Sequence, residues 1–71
     1  MKLSDLNINA KGKVKQILED VFSNQLFESG ILPGVEFTII SKAPFKGPIY
    51  IKVEDNLIAL RAAHAESIIV Q

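Results

Sequence analysis

Residues 25–34 read QLFESGILPG, and this stretch decides how the chain folds. Gly30 can adopt the left-handed backbone conformation that closes a helix at low steric cost. With Gly30 just after the helix, Leu26 and Ile31 occupy the two positions whose side chains usually meet at a Schellman stop. Pro33 prevents the helix from resuming, and Pro33-Gly34 suits the centre of a type II turn. The stretch therefore predicts a helix end, its exit direction and the start of a strand.

The helix that ends here is predicted to begin at Glu19-Asp20, where two acids would lie at its positive end. Phe22 precedes Leu26 by four residues, so the two side chains share one helix face. Phe27 lies off that line, which predicts partial exposure.

A strand is predicted before the helix, over residues 12–18. Its alternation breaks at Ile17, and a bulge near Gln16 would restore it. Three lysines share one face of this strand: Lys11, Lys13 and Lys15. They could form a phosphate-binding stripe, but few aromatic residues accompany them, so a solvated face that guards a sheet edge is the favoured interpretation.

The N-terminal residues predict two smaller features. Ser4 could cap a one-turn helix that places Leu3 and Leu6 on one face. Residues 9–12 are typical of a turn.

Short alternating segments fill the rest of the chain and predict a mainly β protein. Further strands are expected at 35–40, 49–54, 57–60 and Ile68–Val70, with a loop at 41–47, a hairpin turn at Asp55-Asn56 and one helical turn at 61–66. Five short strands with one short helix before the second strand predict a small SH3-like five-stranded barrel. Closure of the barrel would also remove exposed strand edges.

The inward-facing positions of these elements predict a core. It comprises Leu3, Leu6, Val14, Leu26, Ile31, Val35, Phe37, Ile39, Ile51, Val53, Ile58, Leu60, Ile68 and Val70.

Composition limits the class of protein. The 71 residues predict a single domain over 1–71, and 48% of them are apolar, which is enough for a globular core. Lys+Arg and Asp+Glu number 8 each, so no net charge attracts nucleic acid or anionic lipid. The absence of cysteine excludes disulfides and thiolate metal sites. No apolar run reaches the roughly 20 residues of a membrane span, and no signal peptide is recognisable. A cytoplasmic protein is expected.

No catalytic residue, cofactor-binding residue or metal ligand is predicted. His64 is the single histidine, and the carboxylates are scattered, with Glu19-Asp20 explained by the helix start. No nucleophile–base spacing or phosphate loop is present. The chain is therefore predicted not to be an enzyme.

Four apolar residues remain once the core is filled: Phe27, Leu32, Ile40 and Phe45. They could form a patch that binds a partner, or they could pack beneath the 41–47 loop, and the sequence favours neither.

The run from Leu26 to Gly34 resembles the L-x-E-x-G-[IL]-x-P-G motif of the FeoA family, small proteins of bacterial ferrous iron transport. The resemblance covers nearly the whole chain. It includes the opening Leu3-Ser4-Asp5-Leu6, Ala43-Pro44, Gly47-Pro48, the LIALR segment at 57–61 and the ending Ile68-x-Val70.

The resemblance implies an SH3-like barrel that regulates ferrous iron uptake by binding the cytosolic GTPase side of FeoB, the membrane transporter. It implies no chemistry of the protein's own. A second interpretation is an SH3-like domain that associates with itself, as a homo-oligomer, or with domains of metal-dependent repressors. The least favoured is a nucleic-acid-binding barrel that uses Lys11, Lys13 and Lys15.

Overall fold

A computed structural model describes residues 1–18 and 23–71 and gives a mainly β fold, as predicted. The elements are an N-terminal 3₁₀ helix (Leu3–Asp5), β1 (Lys11–Ile17), α1 (Ser23–Glu28), β2 (Glu36–Lys42), β3 (Ile49–Val53), β4 (Asn56–Leu60), α2 (Ala62–Glu66) and β5 (Ile68–Val70). The strands form one antiparallel sheet in the order β4-β3-β2-β1-β5. The predicted helix start at Glu19-Asp20 and the predicted position of Phe22 lie outside the described residues.

One hydrophobic cluster fills the inside of the sheet. It takes side chains from every strand, both α-helices and the 3₁₀ helix, which indicates that the sheet wraps around a common core. Eleven of the predicted core residues are buried, and Leu6, Val35 and Ile58 are half-buried against the cluster. Ile49 and Ala65 are also buried, although neither was in the predicted core.

The predicted bulge in β1 is confirmed. The pairing of β1 with β5 shifts register between Val14 and Gln16. The extra residue allows Val14 to be buried and Ile17 to be half-buried, although they are an odd number of positions, three, apart along the strand.

The predicted turn at residues 9–12 occurs two residues earlier, because Gly12 already belongs to β1. The Ala10 amide donates to the Asn7 carbonyl at 3.0 Å, and Asn9 carries the positive φ of 72°. Gly12 lies opposite Phe37, and a Cβ atom at Gly12 would stand 2.9 Å from the Phe37 Cζ atom. Gly12 therefore makes room for a core ring and does not form a turn.

The predicted Ser4 cap is wrong, because Lys2 precedes the 3₁₀ helix and its amide donates to the Asp5 carboxylate at 3.1 Å. The Ser4 carbonyl accepts a hydrogen bond from Lys42 Nζ at 3.1 Å, and the Leu6 carbonyl accepts another at 2.9 Å. One partly buried ammonium group thus joins the N-terminal segment to β2.

The β3–β4 hairpin turns at Glu54-Asp55, one residue before the predicted turn. Val53 pairs with Asn56, and this register places Ile51 opposite Ile58 on the inner face of the sheet. Burial of β3 side chains on the core thus explains the register.

The sheet ends at β4 on one side and at β5 on the other, with α2 between them along the chain. The N-terminal residues cover part of the edge of β5. Lys2 forms an isolated antiparallel β-bridge with Ile69, and the Val70 amide donates to the Met1 carbonyl at 2.9 Å. In the described ranges β4 has no strand partner other than β3. The expectation that barrel closure removes every exposed edge is therefore wrong at β4.

No helix within residues 1–18 and 23–71 has the length and apolar character needed to cross a membrane.

Candidate partner-docking surface

The connection between α1 and β2 contains the predicted Schellman stop. The Ile31 amide donates to the Leu26 carbonyl at 3.0 Å, and the Gly30 amide donates to the Phe27 carbonyl at 3.0 Å. Gly30 has a φ of 94°, and both Leu26 and Ile31 are buried in the core. These are the two hydrogen bonds and the apolar pair that define the motif.

The predicted turn at Pro33-Gly34 is also confirmed. The Val35 amide donates to the Leu32 carbonyl at 3.1 Å, and Gly34 has a φ of 94° at the position where a type II turn requires a positive value. The Gly34 amide donates to the Val14 carbonyl at 2.8 Å. The turn is therefore fixed to β1 as well as to β2.

Phe27 and Leu32 point away from the core at this connection. Phe27 is 44% exposed and Leu32 is 45% exposed, whereas Leu26 and Ile31 beside them in the chain are buried. Hydrogen bonds hold the backbone on both sides of these two side chains. Binding of a partner here would therefore cost little further backbone entropy.

Phe45 stands at the tip of the loop between β2 and β3 and is 99% exposed. The Gly47 amide donates to the Pro44 carbonyl at 3.1 Å, and the two residues between them, Phe45 and Lys46, have φ values of 57° and 58°. Two positive φ values are typical of a type I′ turn. Gly47 is required here, because an added Cβ atom would lie 2.7 Å from the Ala43 Cβ atom.

The exposure of Phe45 excludes one of the two interpretations of that residue. Packing beneath the loop is wrong for Phe45, because the loop projects the ring into solvent. A phenylalanine rarely occupies the left-handed region, and strained residues often mark functional positions.

Ile40 lies on the outer face of β2 and is 40% exposed. The pairing of β2 with β3 shifts register between Ile39 and Ser41, at the position of Ile40. The Asn9 amide donates to the Ile39 carbonyl at 2.7 Å, so the exposed Ile8 is next in the chain to a residue bonded to β2.

The four predicted docking residues do not form one patch. Phe27 and Leu32 precede β2, Phe45 follows it, and Ile40 lies between them. The seven residues of β2 span roughly 23 Å, nearly the 25 Å length of the molecule. The structure thus brings Phe27 and Leu32 together at one end of β2 and leaves Phe45 at the other.

The predicted lysine face belongs to an open groove of about 640 Å³ that crosses β1, β2 and β3. Lys11, Lys13 and Lys52 line it together with Glu36 and Glu54, and Lys13 pairs directly with Glu36 across the strands. Lys15 lies at the bulge of β1 and does not line the groove. The groove carries both positive and negative side chains, whereas binding to nucleic acid requires a mainly positive surface.

Within the described residues, no group of three or more His, Asp or Glu side chains is arranged to hold a metal ion. His64 is half-buried in α2, and its carbonyl accepts a hydrogen bond from the Ser67 amide at 3.0 Å. The geometry of this part of the chain provides surfaces for binding.

Some exposed apolar residues were not predicted: Met1, Ile8, Leu18 and Leu57. Leu57 is 65% exposed on β4. The exposure of Leu57 could have been predicted, because it alternates with Ile58 and Leu60, which were predicted to face inward.

Comparison with known proteins identifies relatives of the whole chain. The model of the FeoA domain family matches residues 1–71. The solution structure of iron(II) transport protein A from Clostridium thermocellum is 32% identical with a TM-score of 0.90, and it covers 100% of this chain, which spans 44% of that protein. The zinc complex of FeoA from Stenotrophomonas maltophilia is 26% identical with a TM-score of 0.86, and the match covers 100% of this chain and 89% of that protein.

The Stenotrophomonas protein is described as a prokaryotic SH3 domain protein and as a candidate activating factor of ferrous iron transport. Its fold supports the predicted SH3-like class. A manganese-dependent transcriptional repressor also matches, at 19% identity and a TM-score of 0.88 over 99% of this chain and 40% of the repressor, which shows a shared fold. A search of curated protein sequences gave no significant match.

Proposed function

Because the chain belongs to the FeoA family, which is linked to ferrous iron transport, we propose that it is an accessory factor of that process. It acts in the cytoplasm by binding the cytosolic region of the FeoB transporter, and it carries out no chemical reaction of its own.

The observation that carries this proposal is the exposure of apolar side chains on backbone that is held in place. Phe45 is 99% exposed at a turn of positive φ. Phe27 and Leu32 are about half exposed beside a hydrogen-bonded helix stop. Exposed aromatic and aliphatic side chains on rigid backbone are typical anchors of protein interfaces.

The separation of these residues makes two docking ends, the α1–β2 end (Phe27 and Leu32) and the loop end (Phe45). A partner that contacts both would span β2 and cover Ile40 between them. A partner that contacts one end would leave the other unaffected, so the two ends can be tested independently.

The test is a titration of the isotope-labelled protein with the soluble cytosolic region of FeoB, followed by amide NMR. Phe27→Ser with Leu32→Ser removes one end, and Phe45→Ser removes the other. If the side chains at one end become fully buried in the complex, their loss should weaken binding by roughly ten- to one-hundredfold. Leu57→Ser is the matched control, because Leu57 is an exposed apolar residue on β4, which belongs to neither docking end.

Unchanged affinity in both end variants would refute this surface, and chemical-shift changes confined to other strands would locate a different one. The absence of any shift at high protein concentration would refute direct binding to FeoB.

A further inference from the structure

Within residues 1–18 and 23–71, β4 ends the sheet, and its outer edge lies apart from the docking ends. In a hairpin with a two-residue turn, the residues that flank the turn exchange both backbone hydrogen bonds, and bonded pairs then alternate. Val53 and Asn56 flank the turn, so Ile58 and Leu60 bond to β3. Leu57 and Ala59 therefore direct their N–H and C=O groups outwards.

Three devices that often protect a strand edge are missing from β4: lysine, proline and a bulge. Residues 56–60 read NLIAL, without lysine, proline or a register shift against β3. Leu57 is 65% exposed and Ala59 is exposed as well. An unprotected, apolar strand edge is a template for pairing with another strand.

We propose that β4 pairs with β4 of a second copy of this chain, antiparallel about a two-fold axis at Ile58. In this register Leu57 lies opposite Ala59 of the second copy, and Ala59 lies opposite its Leu57. Both are outward-facing positions, so the two strands exchange four backbone hydrogen bonds. The five-stranded sheets of the two copies join into one.

Charge complementarity selects the second copy and the register. The same alignment places Asp55 of each copy opposite Arg61 of the other, once at each end of the paired strands. Both residues are exposed, and they flank β4 directly, Asp55 in the hairpin turn and Arg61 after the last residue of the strand. A shift of two residues in either direction keeps the backbone bonds in phase but loses both charge pairs.

The arrangement is self-complementary, as a two-fold interface requires. It does not depend on the proposed function, because Phe27, Leu32 and Phe45 lie outside β4. A contact through one strand is small, so we expect a weak dimer that forms at high protein concentration.

The test is a charge exchange followed by sedimentation equilibrium. Asp55→Arg alone and Arg61→Asp alone each place like charges at both ends, and each should weaken dimerisation roughly tenfold. An equimolar mixture of the two variants restores opposite charges at both ends and should form a heterodimer at least as strong as the wild-type dimer. Glu28→Arg, at an exposed acid on α1, is the control and should leave dimerisation unchanged.

Amide hydrogen exchange locates the interface. Protection of the Leu57 and Ala59 amides should rise with protein concentration, whereas the Ile58 amide bonds to β3 and should not change. A wild-type protein that stays monomeric up to about 1 mM, the range of weak association, would overturn the proposal. So would a dimer that ignores both charge changes, or protection of β4 that requires a different protein.

Discussion

The amide of Ile31 donates to the carbonyl of Leu26 at 3.0 Å, and both side chains are buried in the same cluster. This bond turns the backbone out of α1 at the point where two core residues require it. The residues beside them, Phe27 and Leu32, then face solvent. The same helix stop thus contributes to the core and to the candidate docking surface.

Replacement of Gly30 by alanine should destabilise this helix stop. A Cβ atom at Gly30 would have no neighbour within 4 Å, so the cost comes from the backbone φ of 94° alone. We expect Gly30→Ala to lower the free energy of unfolding by about 1 kcal/mol, as measured by chemical denaturation. Gly30→Asn should lower it less, because asparagine tolerates positive φ. Equal losses in both variants would contradict a backbone cause.

Gly12→Ala should destabilise the protein for a different reason. The new Cβ atom would stand 2.9 Å from Cζ and 3.3 Å from Cε1 of Phe37, so the buried ring must move. We expect a loss of about 1–3 kcal/mol. In a Phe37→Leu background the same substitution should cost less, and a double-mutant cycle measures the difference. Additive losses would show that ring contact is not the cause.

Loss of the Lys42 ammonium group should release the N-terminal segment from β2. Its Nζ atom donates to the Ser4 and Leu6 carbonyls at 3.1 and 2.9 Å. We expect Lys42→Met to lower the free energy of unfolding by about 1–2 kcal/mol and to speed amide exchange at Asp5 and Leu6. Lys52→Met, at an exposed lysine of β3, should leave both unchanged. Similar effects in the two variants would indicate a general charge effect.

Phe45→Asn should separate stability from binding. The ring makes almost no contact with the rest of the chain, being 99% exposed, and its φ of 57° suits asparagine better than phenylalanine. We expect thermal unfolding to show equal or higher stability, by up to about 1 kcal/mol, while binding at the loop end weakens. A marked loss of stability would show that Phe45 supports the fold.

The local chemistry of the sequence predicted the helix stop, the Pro33-Gly34 turn and the bulge in β1 well. Each depends on residues close in the chain, such as Gly30 and Gln16. The β3–β4 turn was predicted one residue too late, at Asp55-Asn56. The pairing of Ile51 with Ile58 sets the register, and it outweighs the preference of Asn56 for turns.

Features that depend on distant residues were harder to predict. From the sequence alone Gly12 resembles a turn residue, and only the fold shows that the Phe37 ring packs against it. The free edge of β4 depends on which strands end the sheet, and alternation within Asn56–Leu60 carries no information on that. Filling the core identified Phe27, Leu32, Ile40 and Phe45 as the residues left over, but their exposure and their separation along β2 required the fold.

The two ends of residues 1–71 lie side by side, since the Val70 amide donates to the Met1 carbonyl at 2.9 Å. A short linker from Gln71 to Met1 could therefore close the chain into a ring without disturbing β5. New ends opened at the exposed Phe45-Lys46 peptide would interrupt no strand. Such a circular permutant should fold, because continuity of the backbone between β2 and β3 is not what holds them together.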